Sequence, residues 1–432
     1  MKIYLDTIGC RLNQAEIERM ARQFRAAGHT LVARAAEADL AVVNTCAVTA
    51  KAAADSRQRI RQLARAGVPR VVATGCWATL EPAQAAALPA VHQVVPNQAK
   101  ELLVPQVLGA PPHAFDLEPL AREPIPGRRG RTRAFIKVQD GCDNRCTFCI
   151  TTVARGPGRS QPLAAVLDDV WAAQRGGVQE VVLTGVHLGS WGRDLSPPQR
   201  LHDLVRAVLR HTDIPRVRLS SLEPWDLDDA FFALWENPRL APHLHLPLQS
   251  GSATVLRRMA RKTTPQAFAR LVAAARRAIP HVAITTDLIA GFPGESEAEF
   301  AETLAFVQAM DFAGGHVFTY SPRPGTAAAR MPDQVPLPLR RERNAALRAV
   351  LAASAARYRR AFVGRTLQVL WESARPHPEG GFVLRGLSGN YLRVEAQAPA
   401  DFHNRFLRVT IVAVTEDGLR GEIVNAPSPS GG

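Results

Sequence analysis

The sequence predicts an α/β protein in three parts: an N-terminal three-layer α/β domain, a central partial (β/α)6 barrel and a small C-terminal antiparallel β-barrel. Over the first hundred residues, and again from residue 134 to residue 320, short apolar strand patterns alternate with helical patterns. This alternation is typical of parallel sheets covered by helices. After residue 361 the helical patterns stop and short alternating segments separated by glycines follow, as in a small β-barrel.

The composition is that of a globular protein with a basic surface. Hydrophobic residues make up 46% of the 432 residues and charged residues 21%, which is ordinary for such proteins. There is no apolar run of about 18 residues and no signal-peptide pattern, so we expect a cytoplasmic protein without a membrane segment. The formal net charge of +14 favours a polyanionic partner such as RNA. Six cysteines in such a chain indicate metal binding or catalysis rather than disulfides.

The N-terminal domain is predicted from three βα units. Strand patterns cover residues 3–7, 40–44 and 71–74, and helical patterns cover residues 14–27, 50–66 and 82–88. One cysteine follows each strand pattern: Cys10, Cys46 and Cys76. Because parallel strands end at the same edge of a sheet, we expect these thiols to meet in one site. Any one of them could instead be a small buried hydrophobic residue.

The other three cysteines, Cys142, Cys146 and Cys149, lie in one short segment with the spacing C-x3-C-x2-C. Thiolates are soft ligands for iron–sulfur clusters and for zinc. Three thiolates can hold three irons of a four-iron cluster and leave the fourth iron open to a ligand from outside the chain. A zinc knuckle that lacks its fourth ligand and a chance grouping of cysteines are the alternatives.

The central barrel is predicted from six strand patterns, at residues 134–138, 178–184, 216–220, 243–247, 282–289 and 316–320. Helical patterns between them include residues 163–174 and 297–310. The cysteine-rich loop follows the first strand, and catalytic groups of such barrels lie at the C-terminal ends of strands. We therefore expect the other strand ends to line a pocket beside the loop, although any of them could be a simple turn. Three histidines near these ends are expected to be structural: His187, His243 and His245.

Three further segments complete the sequence-based prediction. Residues 111–133 are rich in proline and arginine and read as a linker, and residues 336–360 read as a long helix with seven arginines. Each of these basic segments is either a solvated surface or a phosphate-binding one. Five short strand patterns follow, at residues 366–371, 381–386, 391–395, 405–414 and 419–424, and residues 426–432 are expected to be a disordered tail. The expected domains are 1–120, 128–360 and 361–426.

Several of these motifs resemble one enzyme family. The run Phe-Ile-Lys-Val-Gln-Asp-Gly-Cys-Asp-Asn-Arg-Cys-Thr-Phe-Cys-Ile that starts at Phe135 resembles the cluster loop of radical S-adenosylmethionine (SAM) enzymes, and more narrowly of methylthiotransferases. Gly-Cys-Arg-Leu-Asn-Gln from Gly9, Asn-Thr-Cys-Ala-Val-Thr from Asn44 and Gly-Cys from Gly75 resemble the N-terminal domain of that family. The C-terminal barrel resembles a TRAM domain, an RNA-binding barrel found at the end of many RNA-modifying enzymes.

The resemblance implies two [4Fe-4S] clusters and SAM as cofactors. The cluster on Cys142, Cys146 and Cys149 would cleave SAM reductively to a 5′-deoxyadenosyl radical, which abstracts hydrogen from an unactivated carbon. An auxiliary cluster on the three N-terminal cysteines would carry or supply sulfur, which a second SAM methylates. An electron donor and a sulfur source are implied as partners. The residues implied to contact SAM are Phe148, Gly185, Ser221, Glu223, Gln249, Asp287 and Gly291.

The resemblance also implies a substrate class. Members of the family act on adenosine 37 in the anticodon loop of tRNA, carrying either a threonylcarbamoyl or an isopentenyl group at N6, or on an aspartate of ribosomal protein S12. The motif around Cys46 and the compact terminal barrel are most similar to the threonylcarbamoyladenosine branch, and the positive net charge suits tRNA. A non-catalytic iron–sulfur protein that binds RNA or senses redox state is the alternative from another class.

Overall fold

The computed structural model describes residues 1–111 and 132–424. Most of the predicted linker and the predicted tail lie outside these residues.

The N-terminal part is a five-stranded parallel sheet in the order β2-β1-β3-β4-β5. Its strands are β1 (Lys2–Thr7), β2 (Thr30–Leu31), β3 (Leu40–Thr45), β4 (Val71–Gly75) and β5 (Val91–Val95). Its helices are α1 (Arg11–Ala26), α2 (Ala50–Arg65), α3 (Cys76–Leu80), α4 (Pro82–Ala86) and α5 (Leu103–Leu108). The three predicted strands are present, whereas β2 and β5 were not predicted.

Both faces of this sheet are buried, which confirms the three-layer prediction. Every residue of β3 and β4 is buried, as expected for parallel strands covered by helices on both sides. One apolar core lies between the sheet and α1 with α5, and a second lies between the sheet and α2 with α3. Helix α1 begins three residues earlier than predicted, so Cys10 directly precedes it. Cys76 is the first residue of α3.

The central part is the predicted partial barrel of six parallel strands. They form two hydrogen-bonded sets, β10-β9-β6 and β11-β12-β13, linked by isolated bridges such as that between Ser221 and His245. The strands are β6 (Arg133–Lys137), β9 (Glu180–Thr184), β10 (Arg216–Leu219), β11 (His243–His245), β12 (Ala283–Ala290) and β13 (Gly314–Thr319), with a short antiparallel pair, β7 (Gln139–Asp140) and β8 (Arg159–Ser160). The helices are α6 (Thr151–Arg155), α7 (Leu163–Arg175), α8 (Leu201–His211), α9 (Asp229–Phe232), α10 (Ala253–Arg258), α11 (Pro265–Ala278), α12 (Glu297–Met310) and α13 (Leu337–Arg360).

Helix α1 of the N-terminal sheet packs against the barrel. Ala134 and Ile136 of β6 belong to the large core shared with the barrel helices. Phe135, between them, points the other way and packs with Ala15 of α1 and Val182 of β9. Since alternate residues of a strand face opposite sides, α1 lies on the inner face of the barrel. The N-terminal cysteines are thereby brought to the barrel.

The C-terminal part is a closed five-stranded barrel in the order β14-β15-β16-β18-β17. Its strands are β14 (Thr366–Pro376), β15 (Phe382–Ser388), β16 (Arg393–Ala398), β17 (Phe406–Val414) and β18 (Leu419–Ile423). Four of the five pairs are antiparallel, as predicted, and β16 and β18 run parallel. The reason is geometric: strand directions cannot alternate all the way around a closed ring with an odd number of strands.

A buried ion pair fixes this small barrel to the central one. Glu180 of β9 and Arg218 of β10 are completely buried, and Arg218 Nε donates to Glu180 Oε1 at 2.7 Å. Arg216 Nη1 donates to Glu180 Oε2 at 3.3 Å. The same two arginines donate to backbone carbonyls of the small barrel, those of Leu387, Gln368, Gly389 and Ser388. Glu180 therefore holds the two guanidinium groups that attach the C-terminal barrel.

We expect Glu180→Gln to lower the free energy of unfolding by about 3–5 kcal/mol, because it leaves buried guanidinium groups without their carboxylate. Burial alone would raise the pKa of Glu180, but Arg218 and Arg216 hold it at about 2, below the ordinary value of 4.5. The ion pair thus stabilises the fold fully above pH 4.5 and is lost only as the pH falls through about 2. Urea denaturation at neutral pH measures the change.

The exposed pair Arg385–Glu395, on the small barrel itself, provides the control. Both side chains are more than two-fifths exposed, so Glu395→Gln should change the free energy of unfolding by less than about 1 kcal/mol. Equal effects of the two substitutions would contradict the role given to Glu180.

Helix α13 confirms the predicted long helix and uses several of its arginines internally. Arg343 is buried and pairs with Glu295 and Glu297, and Arg357 pairs with Asp311. Other arginines of the helix are exposed, Arg341 and Arg360 among them. Among residues 1–111 and 132–424, no helix has the length and apolar character that crossing a membrane requires.

Candidate active site

The cysteine-rich loop, residues 142–149, runs from the short strand β7 to helix α6. Gly141 precedes it with a φ of +67°, and a Cβ there would lie 1.8 Å from the carbonyl oxygen of Pro157, so only glycine fits. Cys142 N donates to the carbonyl of Gly156 at 3.0 Å, and Cys149 N donates to that of Cys146 at 3.0 Å. The loop is therefore held in a compact turn, with three free and half-buried thiols.

Each thiol of the loop has a polar neighbour. Asn144 N lies 3.4 Å from Cys142 Sγ, and Thr152 Oγ1 lies 3.8 Å from Cys149 Sγ. Arg261 Nη1 lies 3.7 Å from Cys146 Sγ. Burial raises the pKa of Cys146, and the charge of Arg261 opposes this effect. Hydrogen bonds to cysteine sulfurs stabilise thiolates and tune the potential of a bound cluster.

The three N-terminal cysteines meet at one edge of the sheet, as the strand order requires. They follow the adjacent strands β1, β3 and β4; Cys10 is exposed, and Cys46 and Cys76 are buried. Burial, together with the charges of the Cys10 and Cys76 thiolates, raises the pKa of Cys46 to about 11. The strand order thus puts the three sulfurs at one edge of the sheet.

Glycines let the chain approach closely around these cysteines. A Cβ on Gly9, whose φ is +112°, would lie 2.9 Å from Cys46 Sγ. A Cβ on Gly75, whose φ is +95°, would lie 2.3 Å from the carbonyl oxygen of Thr45. Two asparagines contact the thiols on either side of Cys46. Asn13 Oδ1 accepts from Cys10 Sγ at 3.7 Å, and Asn97 Nδ2 lies 3.6 Å from Cys76 Sγ.

Three of the predicted SAM contacts lie beside the cysteine-rich loop. Phe148 belongs to the loop and packs edge-on against Phe292, with ring centroids 6.5 Å apart. Glu223 accepts a hydrogen bond at 2.6 Å from Arg261, which also reaches Cys146. A Cβ on Gly185 would lie 2.9 Å from Gln139 Oε1, so this glycine makes room for the side chain that supports Gly141.

The other predicted contacts lie at neighbouring strand ends and contact other parts of the barrel. Ser221 bridges to β11, and Gln249, with a φ of +75°, pairs with Leu288 of β12. Asp287 Oδ2 lies 3.2 Å from His245 Nε2. A Cβ on Gly291 would lie 2.2 Å from Cγ of Arg340, so the glycine makes room for α13. The role of each residue toward SAM stays a prediction.

His187 contacts the loop as well. Its Nε2 lies 2.6 Å from Asp226 Oδ2, and its Nδ1 lies 3.3 Å from Asn144 Nδ2. Burial lowers the pKa of His187, but its hydrogen bond to Asp226 and the nearby Cys142 raise it to about 9. His243 and His245 share Thr285 Oγ1 as hydrogen-bond partner, at 3.1 and 2.9 Å.

Several polar residues of both sites could not be predicted from the sequence. They are Asn13, Asn97, Arg155 and Arg261. No local signal marks them, because their partners are distant in the chain: Asn97 lies 57 residues from Ala154, which it contacts, and Arg261 lies 115 residues from Cys146.

The donor set fits iron–sulfur clusters. In a four-iron cluster each thiolate binds a different iron. Two sets of three free thiols, each next to hydrogen-bond donors or acceptors, match that requirement.

A partial barrel of six parallel strands with this loop after its first strand defines a radical SAM enzyme. Residues 136–307 match the Radical SAM superfamily, and residues 2–96 match Uncharacterized protein family UPF0004. The fold is similar to that of the radical S-adenosylmethionine methyltransferase TsrM from Kitasatospora setae. The TM-score is 0.55 at 15% sequence identity, and the match covers 76% of this chain and 75% of that chain.

Curated relatives narrow the class. The chain is 35% identical to "Threonylcarbamoyladenosine tRNA methylthiotransferase MtaB" of Bacillus subtilis, over 97% of this chain and 95% of the relative. It is 35% identical to the protein of that name from Thermotoga maritima, over 100% and 99%. It is 37% identical to "tRNA-2-methylthio-N(6)-dimethylallyladenosine synthase" of Sphingopyxis alaskensis, over 85% and 86%.

The chain belongs to the radical SAM methylthiotransferase family and is an enzyme. A [4Fe-4S] cluster and SAM are therefore cofactors of the protein.

Proposed function

We propose that this enzyme adds a methylthio group to C2 of N6-threonylcarbamoyladenosine at position 37, in the anticodon loop of tRNA. The supporting observation is the similarity, over almost the whole chain, to two enzymes named as threonylcarbamoyladenosine tRNA methylthiotransferases. The net charge of +14 suits an RNA substrate. A tRNA substrate also places the enzyme in the cytoplasm.

A second candidate substrate is N6-isopentenyladenosine in tRNA. It is favoured by relatives named for the dimethylallyl nucleoside, which are 36% and 37% identical to this chain. Coverage does not separate the two candidates, because one relative of the second kind matches 98% of the chain. The first candidate stands ahead because the motif Asn-Thr-Cys-Ala-Val-Thr from Asn44 is most similar to the threonylcarbamoyladenosine branch.

The two cysteine sets have different tasks in this reaction. Cys142, Cys146 and Cys149 hold the SAM-cleaving cluster, and Cys10, Cys46 and Cys76 hold an auxiliary cluster that provides sulfur. When bound, these groups and SAM supply a 5′-deoxyadenosyl radical and the sulfur and methyl group of the product. Electrons come from a reductase and replacement sulfur from a sulfur donor.

The side chains of the protein orient these groups and limit access to them. Arg261 donates toward Cys146 and holds Glu223, a predicted SAM contact, at 2.6 Å. Phe148, Phe292 and Tyr320 form an edge-to-face aromatic series, with centroids 6.5 and 5.5 Å apart. An apolar wall of this kind excludes water from a radical.

We also propose the domain division 1–120, 128–360 and 361–426 and a TRAM-type role for the C-terminal barrel. The closed five-stranded barrel supports this role, as do the arginines at its surface, Arg385 and Arg393.

The proposed substrate is tested with tRNA from a strain that lacks methylthiotransferases, because such tRNA carries both modified adenosines. The full chain is reconstituted with iron and sulfide, reduced without oxygen and incubated with SAM and this tRNA. We expect mass spectrometry of the nucleosides to show 2-methylthio-N6-threonylcarbamoyladenosine. A methylthio group only on the isopentenyl nucleoside, or on an aspartate of protein S12 supplied in parallel, would overturn the proposal.

A further inference from the structure

A short helix links the two cysteine sites. Helix α6 begins two residues after Cys149 and ends at Arg155, whose side chain is only 1% exposed. Arg155 Nη1 donates to Asp140 Oδ1 at 2.8 Å and to Glu16 Oε1 at 2.9 Å. Glu16 belongs to α1 of the N-terminal sheet. The end of this helix is thus buried against the other site.

The second nitrogen of Arg155 contacts the residue beside Cys10. Arg155 Nη2 donates to Asn13 Oδ1 at 2.8 Å, and the same oxygen accepts from Cys10 Sγ at 3.7 Å. Asn13 Nδ2 donates to the carbonyls of Ile8 at 2.8 Å and of Thr45 at 3.2 Å. The Asn13 amide therefore spans the turns that carry Cys10 and Cys46, and Arg155 fixes the direction of its oxygen.

The same helix also contacts the third cysteine through a neighbour. Asn97 Nδ2 donates to the carbonyl of Ala154 at 2.9 Å and lies 3.6 Å from Cys76 Sγ. Ala154 and Arg155 are adjacent residues at the end of α6. They thus hold Asn97 and Asn13, the two asparagines that contact Cys76 and Cys10. A shift of this helix would move both asparagines together.

The surroundings of Arg155 are positively charged overall. Three cations, Lys100, Lys137 and Arg155, face two buried carboxylates, Glu16 and Asp140, in one ion-pair network. Two further side chains contact this network at its rim. The exposed Glu101 lies 3.4 Å from Lys137 Nζ, and the half-exposed Arg159 lies 3.9 Å from Asp140 Oδ2. The inner five side chains leave one positive charge next to the N-terminal cysteines, and such a charge favours thiolates and a reduced cluster.

We propose that Arg155 is a positioning residue for the auxiliary site. It fixes Asn13, and through it Cys10, relative to the SAM-cleaving loop, and it supplies the positive charge of the site. This inference rests on the proposed function, in which the three N-terminal cysteines hold a cluster that provides sulfur.

The effect of the Arg155 charge is tested on the full chain with Cys142, Cys146 and Cys149 changed to alanine. Any cluster that this variant binds is then held by the N-terminal cysteines. We expect Arg155→Gln to shift the reduction potential of this cluster to more negative values, and Arg155→Lys to preserve it. Arg159→Gln removes the same charge four residues away, at a half-exposed side chain, and should leave the potential unchanged. An unchanged potential in Arg155→Gln, or an equal shift in Arg159→Gln, would overturn the role of the charge.

The positioning role is tested in the chain with all six cysteines present. Lysine cannot donate to Asn13 and Glu16 in the planar arrangement of arginine. Both Arg155 variants should therefore lose about 10-fold or more in methylthio product, as for other residues that orient metal ligands, and keep most of their 5′-deoxyadenosine formation. Equal product yields in Arg155→Lys and the parent protein would overturn positioning.

Folding and the proposed function are checked separately. Glu16→Gln/Arg155→Gln removes a buried acid and a buried base together and keeps one net positive charge in the network. This double variant should keep the parental potential and lose methylthio product as Arg155→Gln does, so a parental product yield would overturn positioning even if the single variant does not fold. If the parent protein makes no methylthio product, the proposed function fails, whereas the iron content and potential of the N-terminal site still decide the charge of Arg155.

Discussion

Cys146→Ala is expected to abolish the reductive cleavage of SAM. The loop would keep only two thiols, and Arg261 would lose the sulfur that its Nη1 contacts at 3.7 Å. We expect 5′-deoxyadenosine formation to fall by more than about 100-fold, beyond the usual effect of changing a residue that only supports a ligand. Chromatography of the products after anaerobic reconstitution and reduction measures this loss.

Arg145→Gln is the matched control, because Arg145 is the exposed neighbour of Cys146 in the same loop. This variant should form 5′-deoxyadenosine at close to the parental rate. Substantial SAM cleavage by Cys146→Ala would show that the loop is not the cleavage site and would remove the basis for assigning Cys142 and Cys149 with it.

Cys46→Ala is expected to stop formation of the methylthio product and to spare the cleavage of SAM. Cys46 is 6% exposed and lies between Cys10 and Cys76 at the sheet edge, so its loss leaves the auxiliary site with two thiols. The loop of residues 142–149 keeps all its thiols. We therefore expect methylthio product to become undetectable while 5′-deoxyadenosine still forms, with both compounds quantified in one reaction.

Val48→Ala is the control for Cys46→Ala, because Val48 lies two residues from Cys46 in the same turn. Val48 is 51% exposed, and both activities should survive its truncation. Equal loss of SAM cleavage and of thiolation in Cys46→Ala would argue against a division of labour between the two cysteine sets.

The cysteine groups could be predicted because each depends on short-range order. Cys142, Cys146 and Cys149 share one loop, and Cys10, Cys46 and Cys76 each follow a buried strand, so parallel pairing alone brings them together. Strand β5 was missed because its sequence, Val-His-Gln-Val-Val, contains two polar residues where a buried parallel strand is usually apolar. Strand β2 has only two residues, too few for any pattern.

The buried charges could not be predicted from the sequence. Glu16 occupies an amphipathic helix, and Arg155 ends a helical turn beside a glycine. Both positions are typical of solvated charges. They form an ion pair at 2.9 Å across 139 residues of chain, and only the docking of α1 on the inner face of the barrel brings them together.

The attachment of the C-terminal barrel has a consequence for its tolerance of substitutions. Arg216 and Arg218 hold it through four backbone carbonyls, which every amino acid possesses. These contacts place little restriction on the four side chains at those positions, whereas Arg133 Nε also holds the barrel through the side chain of Glu372 in β14, at 2.6 Å. This attachment is thus tolerant of sequence change at the four positions whose carbonyls accept, and sensitive to it at Glu372.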